Sequence, residues 1–201
     1  GVDGDVARIT LDAASGQPGK LANCAVSAVE RGAAGISFTV AEQALPFVLP
    51  AAAHGALALV PLTDELNREL LTVSGLAAGR YALSIDGAEV GTWTAAELAA
   101  GVNLATCEKT PQYQQALRVA MLNKDRNEKA VRPLRNLWLQ LKVKQHQAAG
   151  GAEKKAALAR WISEEFQPGI ARLEALSKEY EQQIYQANQP APRKYELLRL
   201  K

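Results

Sequence analysis

The chain has 201 residues, of which 48% are hydrophobic and 22% charged, so it can form a packed core and is not a disordered protein. Its formal net charge of +2 argues against strong electrostatic attraction to nucleic acid or to an anionic membrane. The charges are unevenly divided: residues 1–110 carry 6 Lys and Arg against 12 Asp and Glu, whereas residues 111–201 carry 17 against 9. No apolar run is long enough to span a bilayer. Because the chain begins at Gly1 without Met or a leader, we expect it to be a piece of a longer protein.

Short strands separated by turns are predicted for the first half of the chain. Residues 6–11 alternate between apolar and polar side chains, which is the period of a half-buried strand. A cluster rich in Gly, Pro and Ser follows and predicts a turn. A short helix is predicted to begin near Thr63. Further strands are predicted at residues 22–29, 35–40, 57–60 and 70–73.

The most specific local signal is a β-hairpin within residues 81–93. Asp86-Gly87 supplies the two positive-φ residues that a type I′ turn requires, and alternating strands lie on both sides of it. Thr94 and Glu97 then form the pattern of a capping box, in which each side chain bonds the backbone amide of the other residue. We therefore expect a short helix from residue 95, ended by Gly101.

From Pro111 onward the apolar residues recur at helical spacing. We expect the first helix to break in the polar gap at residues 123–127, or at Pro133, which lacks a backbone donor. Residues 148–151 separate a second helix, Pro168-Gly169 begins a third, and the tail from residue 189 is expected to be extended. The predicted fold class is α+β, with an antiparallel β-rich, sandwich-like part at residues 1–110. A helical extension with an extended C-terminal tail occupies residues 111–201.

The chain contains no pattern typical of a catalytic or cofactor site. It has no G-x-S-x-G, no P-loop, no H-E-x-x-H and no G-x-G-x-x-G. We therefore assign no catalytic, cofactor-binding or metal-ligating residue and no cofactor. His54 and His146 are interpreted as solvated or structural histidines. Cys24 and Cys107 are too few for a disulfide scaffold, and they form either one bridge or two separate thiols.

The charged clusters also have simple interpretations. The segment from Gly1 to Asp5 is similar to the start of a calcium loop but lacks the downstream Glu, so we interpret it as a turn before the first strand. The pairs Asp64-Glu65 and Glu164-Glu165 are expected on solvated helix faces. The basic residues of the second half are interspersed with acids on amphipathic helices, so the helices are expected to lie against the acidic β part or another acidic surface rather than nucleic acid. These residues are Lys124, Arg126, Lys129, Arg132, Arg135, Lys142 and Lys144.

Several segments of the chain resemble a known family. Leu71 to Tyr81 and Ile85 to Ala105 are the most similar, and weaker similarity continues at both ends of the chain. These segments resemble the region that follows the catalytic Asp-x-x-His block in large bacterial SGNH/GDSL-family hydrolases of the planctomycete type, which are GDSL-like lipases or esterases. The resemblance covers nearly the whole chain and implies that the parent protein is an ester hydrolase.

No catalytic residue of that family can be carried over to this chain. In the family a Ser in a Gly-Asp-Ser block attacks the ester carbonyl, and the His of the Asp-x-x-His block is the base. This sequence contains neither block, and it has no Gly-x-Asn-Asp motif for an oxyanion hole. The resemblance therefore implies a C-terminal accessory region that packs on an upstream catalytic domain, in the same polypeptide or as a cleaved partner. It also implies export to the periplasm or the cell exterior of a bacterium.

Two other classes of function stay open. One is a non-catalytic binding module for a polysaccharide or another surface, which would need exposed aromatics in a β-rich part that contains four aromatic residues. The other is an assembly subunit whose helices form homo-oligomer or filament contacts. A self-sufficient enzyme lacks support because the sequence offers no nucleophile–base pair. We expect no nucleic-acid partner and no membrane span.

Overall fold

The alternating residues of the first half form two β-sheets, together with residues 193–199, in a computed structural model that describes residues 4–49, 55 and 59–201. The first sheet contains, in spatial order, β2 (Gln17–Pro18), β1 (Asp5–Asp12), β5 (Arg68–Ser74) and β8 (Val102–Asn103). The second contains β3 (Cys24–Gly32), β4 (Gly35–Glu42), β9 (Arg193–Arg199), β6 (Arg80–Ile85) and β7 (Ala88–Thr94).

The two sheets enclose one hydrophobic core. All neighbouring strands of the second sheet are antiparallel, and in the first sheet only β1 and β5 run parallel. In β1, β4, β5 and β6 every second residue is buried, as the pleat of a strand with one inward face requires. The predicted α+β class with an antiparallel, sandwich-like β part is confirmed. The buried core residues include Ile9, Leu11, Leu71 and Val73 from the first sheet and Phe38, Val40, Leu83, Ile85 and Leu197 from the second.

The predicted extended tail forms strand β9, which lies in the middle of the second sheet between β4 and β6. Tyr195 on β9 is opposite Phe38 on β4, and their rings stack with centroids 5.3 Å apart. Both side chains are fully buried. This strand therefore contributes its side chains to the centre of the core.

The predicted hairpin and capping box are confirmed. Asp86 and Gly87 have φ values of 51° and 80°, as a type I′ turn requires. Thr94 Oγ1 accepts from the amide of Glu97, whose carboxylate accepts from the amide of Thr94, and helix α2 (Ala95–Ala100) follows. The predicted helical start near residue 63 is helix α1 (Leu62–Leu66). Of the strand predicted at 57–60, residues 57 and 58 lie outside the described residues, and residues 59 and 60 are not in a strand.

The second half forms four α-helices: α3 (Pro111–Arg126), α4 (Arg132–Ala148), α5 (Ala152–Trp161) and α6 (Gln167–Ala187). The predicted separation at residues 148–151 is confirmed. The predicted break at 123–127 is wrong, because a π-helical segment, Asn127–Val131, connects α3 to α4. A second π-helical segment, Ile162–Phe166, connects α5 to α6 where a new helix start was expected.

Each π-helical segment ends two residues before a proline. The amide of Arg132 bonds the carbonyl of Asn127, and the amide of Gln167 bonds the carbonyl of Ile162, so each bond spans five residues instead of four. The wider turn changes the hydrogen-bond register just before Pro133 and Pro168. We infer that this register change lets the helices continue through residues that lack a backbone donor.

The chain forms two compact units, Gly1–Arg118 with Asn188–Lys201, and Val119–Ala187. This division differs from the predicted segments 1–110 and 111–201. The start of α3 belongs to the β-rich unit because Tyr113 and Ala116 are buried there. The predicted tail also belongs to it because β9 pairs with β4 and β6.

The helical unit, Val119–Ala187, has a small interior of its own. Phe166 contacts the edge of Trp138 at a centroid distance of 5.1 Å, and it also packs on Trp161 at 5.5 Å. Leu141 and Leu173 are buried. Trp138 nevertheless keeps 48% of its surface exposed, so the predicted apolar stripe is only partly covered within this unit.

Candidate functional site

The two cysteines are free thiols, so the structure favours the second of the two alternatives left open by the sequence. Cys24 Sγ lies 3.1 Å from the carbonyl oxygen of Arg8, and Cys107 Sγ lies 3.7 Å from that of Val90. Burial raises the pKa of the Cys24 thiol, which favours its neutral and weakly nucleophilic form. Cys24 is therefore not poised to act as a nucleophile.

The segment similar to a calcium loop enters the first strand, as predicted for Asp5. Residues 1–3 lie outside the described residues, so only Gly4 and Asp5 of this segment can be placed. Its carboxylate is buried and forms ion pairs with Arg8 Nη2 and Arg68 Nε, each at 2.7 Å. Asp5 therefore joins β1 to β5 as a structural acid.

Among the residues that were predicted to be solvated, those that the structure describes have no partner that would suggest catalysis. His54 lies outside the described residues, and the side chain of His146 is exposed near the end of α4. Asp64-Glu65 lies on α1, and both residues are exposed, as expected. Glu164-Glu165 is exposed as expected, and Glu165 accepts a hydrogen bond from the indole of Trp161.

Some of the basic residues of the helices have partners within the helical unit. Arg126 Nε lies 3.1 Å from Ser177 Oγ on the opposite long helix. Lys129 forms an ion pair of 2.9 Å with Asp125 and lies over the ring of Tyr180. These two cations therefore have structural contacts and need no phosphate to explain them.

The most unusual polar feature is a carboxyl cluster inside the β-rich unit, which we define as Glu42, Glu69, Gln112 and Tyr195. Glu42 ends β4, Glu69 lies near the start of β5, Gln112 is in the first turn of α3, and Tyr195 lies on β9. Glu69 and Tyr195 are 0% exposed, Gln112 is 2% exposed and Glu42 is 8% exposed. The cluster therefore joins both sheets to helix α3 in a place that water hardly reaches.

One amide group connects the two carboxyl groups of this cluster. Gln112 Nε2 lies 3.2 Å from Glu42 Oε1 and 3.2 Å from Glu69 Oε1, and it also contacts Tyr195 Oη. The hydroxyl of Tyr195 donates to Glu42 Oε1 at 2.9 Å. Both carboxyl groups are thus held against the same nitrogen atom.

Burial dominates the electrostatics of the carboxyl cluster. It raises the pKa of Glu69 well above the usual range, and the neighbouring Glu42 adds to this effect. It also raises the pKa of Glu42, although hydrogen bonds from Gln112 and Tyr195 and the charge of Arg193 oppose the shift. The pKa of the Tyr195 hydroxyl is raised as well, by burial and by both carboxyl groups. The cluster is therefore suited to holding a proton, but it is too deeply buried to meet a substrate.

A small cavity of about 240 Å³ lies in the same unit. Its lining includes Phe47, Asn67, Glu108 and Tyr113. The side chain of Asn67 accepts from the amide of Phe47 at 2.8 Å and donates to its carbonyl at 3.0 Å. Asn67 therefore positions the loop at residue 47, and the cavity is smaller than the usual size of a ligand pocket.

Within residues 4–49, 55 and 59–201, no three His, Cys, Asp or Glu side chains are grouped so that they could hold a metal ion. Among the described helices, none is both long enough and apolar enough to cross a membrane.

The carboxyl cluster was missed in the sequence, although a signal for it was present. Glu42 continues the inward-facing series Ile36, Phe38 and Val40, and Glu69 precedes Leu71 and Val73 at the same spacing of two. Extending each alternating pattern by one step would have predicted two buried glutamates. Their proximity depends on strand pairing across the fold, which one sequence does not reveal.

The chain is similar to half of a known enzyme. No protein-family model matches it, and no curated protein matches it. A solved structure described as "BT4096 a gut microbial diltiazem-metabolizing enzyme" is similar, with 31% sequence identity and a TM-score of 0.76. The similarity covers 98% of this chain and 50% of that chain. The chain therefore spans about half the length of that enzyme and shares the fold of that half.

Proposed function

We propose that this chain is the non-catalytic accessory region of an ester hydrolase of the SGNH/GDSL type, and that it packs on a catalytic region outside the 201 residues. The observation that carries the proposal is the extent of the similarity, since nearly the whole chain corresponds to only half of an enzyme. The reaction class rests on the resemblance of residues 71–81 and 85–105 to SGNH/GDSL hydrolases.

The internal chemistry of the β-rich unit supports an accessory role. Catalytic acids and bases must reach the substrate within hydrogen-bonding distance. The unusual acids of this unit, Glu42 and Glu69, are enclosed in the core, and the buried Asp5 is paired with two arginines. These groups stabilise a scaffold, and the proposed reaction is carried out by residues elsewhere in the parent protein.

The test compares ester hydrolysis by two proteins. The 201-residue chain and a longer protein that also contains the upstream region are each assayed with p-nitrophenyl acetate and with diltiazem. We expect no turnover above background from the chain alone and turnover from the longer protein. Turnover by the purified chain, retained after a second purification step, would overturn the proposal.

An assembly role is the alternative, and one observation favours it. Trp138, Leu139 and Val143 on α4 are 48%, 54% and 56% exposed, which is unusual for large apolar residues on neighbouring positions of one helix. Sizing chromatography with light scattering distinguishes the two roles. A stable oligomer of the isolated chain that Leu139→Glu dissociates would favour assembly, and a monomer at all concentrations would exclude it.

A further inference from the structure

The carboxyl cluster has fewer hydrogen-bond donors than its acceptors require. A Gln amide has two N–H groups and a Tyr has one O–H group, whereas an ionised carboxylate has none. Three buried oxygens have no hydrogen-bond partner among the described residues, namely Glu42 Oε2, Glu69 Oε2 and Gln112 Oε1. Buried oxygens of this kind are rare and require an explanation. A proton on one carboxyl group removes one of the two neighbouring negative charges, which lowers the cost of keeping these oxygens buried.

The charges around the cluster favour a proton on Glu69 rather than on Glu42. Glu42 receives the hydroxyl of Tyr195, shares the amide of Gln112 and is stabilised by the positive charge of Arg193. Glu69 shares the same amide, and both its burial and the charge of Glu42 disfavour its ionised form.

The surrounding elements hold other titratable and charged groups, and most of these have partners of their own. Arg193 Nη1 donates to Asp86 and Arg193 Nη2 donates to Gln115, each at 2.9 Å, whereas the buried Nε of Arg193 has no hydrogen-bond partner among the described residues. Asp5 on β1 is paired with Arg8 on the same strand and with Arg68 on β5. On β3 the thiol of Cys24 is kept neutral by burial and by Glu42. The remaining acids on α1, on α2 and in the turn before α3 are Asp64, Glu65, Glu97 and Glu108.

We propose that Glu69 carries a proton at neutral pH and that this proton fastens the first turn of α3 to both β-sheets. Gln112 is the only helical member of the cluster, and its amide is bonded to side chains from β4, β5 and β9. When Glu69 ionises, two negative carboxylates face the same amide nitrogen in the interior. The start of α3 is then released from the sheets. This inference does not depend on the proposed function.

The sign of the pH effect follows from the raised pKa of Glu69. An unfolded glutamate titrates near 4.5, so between that value and the higher folded value the native chain binds more protons than the unfolded chain. The stabilisation is complete below the unfolded pKa and is lost as the pH rises toward the folded pKa. Within that window the unfolding equilibrium constant rises by up to tenfold per pH unit for one proton. Most carboxyl groups in folded proteins have a lowered pKa, so their contribution to stability is lost as the pH falls.

The experiment is native-state hydrogen exchange of the full chain, followed by mass spectrometry from pH 5 to pH 9 and corrected for intrinsic exchange rates. Peptides from β5 and β9 report the opening of the β-rich unit, and a peptide covering residues 111–118 reports the start of α3. We expect protection in the α3 peptide to fall by up to tenfold per pH unit. In Glu69→Gln, which is neutral at all pH values and supplies two N–H groups, this dependence is expected to disappear.

The matched control is Glu89→Gln, because Glu89 is an exposed glutamate on β7. It is expected to keep the wild-type pH dependence. If Glu69→Gln does not fold, carboxyl ¹³C NMR of the wild-type chain provides an independent test, in which one glutamate must titrate well above the others. The proposal is wrong if all glutamates titrate in the ordinary range. It is also wrong if Glu69→Gln keeps the wild-type pH dependence, or if only β5 and β9 respond while the start of α3 does not.

Discussion

Substitution of Gly35 by Ala tests the central position of β9. Gly35 begins β4 and is paired with Leu198, and a Cβ atom added to Gly35 would lie 1.8 Å from the carbonyl oxygen of Leu197. Close carbon–oxygen contacts between strands are about 3.3–3.6 Å, so the strands would have to separate locally by about 1.5 Å. The obstacle is backbone rather than a flexible side chain, so it cannot rotate away.

We expect Gly35→Ala to lower the free energy of unfolding of the β-rich unit by about 3 kcal/mol, at the upper end of the usual cost of overpacking. For a chain of this size the corresponding fall in Tm is about 6–12 °C. Circular dichroism during thermal and urea denaturation measures both quantities. Hydrogen exchange in peptides from β4 and β9 localises the loss.

Gly32→Ala is the matched control, since Gly32 is opposite Gly35 on β3 and the nearest atom to its added Cβ is 3.8 Å away. We expect Gly32→Ala to change the free energy of unfolding by less than about 1 kcal/mol in either direction. The methyl group fits in the folded state, and alanine also restricts the unfolded chain more than glycine does. If Gly35→Ala is as stable as Gly32→Ala, the close approach of β4 and β9 at this point is incorrect.

Two further predictions concern buried polar groups. Asn103 Oδ1 accepts from the buried amides of Glu69 at 3.0 Å and Ala105 at 3.1 Å, so Asn103→Ala should cost about 2 kcal/mol in urea denaturation. A cost below about 0.5 kcal/mol would contradict these bonds. Thiol titration of the unreduced, denatured chain should detect Cys24 and Cys107 as two free thiols. In the native chain Cys24 should react more slowly than after denaturation, and detection of no thiols would mean that a bridge forms.

Local structure was predictable wherever neighbouring residues determine it. The turn at Asp86-Gly87 and the capping box of Thr94 and Glu97 depend on contacts within a few residues, and both are present. The break expected at residues 123–127 is wrong, because the π-helical segment Asn127–Val131 continues the helix there. The helix start expected at Pro168-Gly169 lies within a continuous helical run, in which α6 follows the π-helical segment Ile162–Phe166 at Gln167. In both places the hydrogen-bond register changes just before a proline, which lacks a backbone donor.

The carboxyl cluster and the sheet order depend on contacts between distant parts of the chain. Glu42 and Tyr195 are separated by 153 positions in the sequence, and their hydrogen bond forms only because β9 inserts beside β4. The inward orientation of Glu42 and Glu69 was available from the alternating pattern. Their common partner, Gln112, lies at the start of an amphipathic helix, where a polar residue is ordinarily solvated.

The position of β9 has a consequence for how the chain folds during synthesis. β4 and β6 leave the ribosome long before β9, because about a hundred residues separate β7 from β9. The entropic cost of closing such a long loop also slows the pairing of β9 with β4 and β6. Until β9 arrives, each of these two strands has one unpaired edge, which invites association with other chains. Until then Phe38 also lacks its stacking partner, the ring of Tyr195. Chains truncated before residue 193 should therefore depend on chaperones, because the second sheet is complete only when β9 is present.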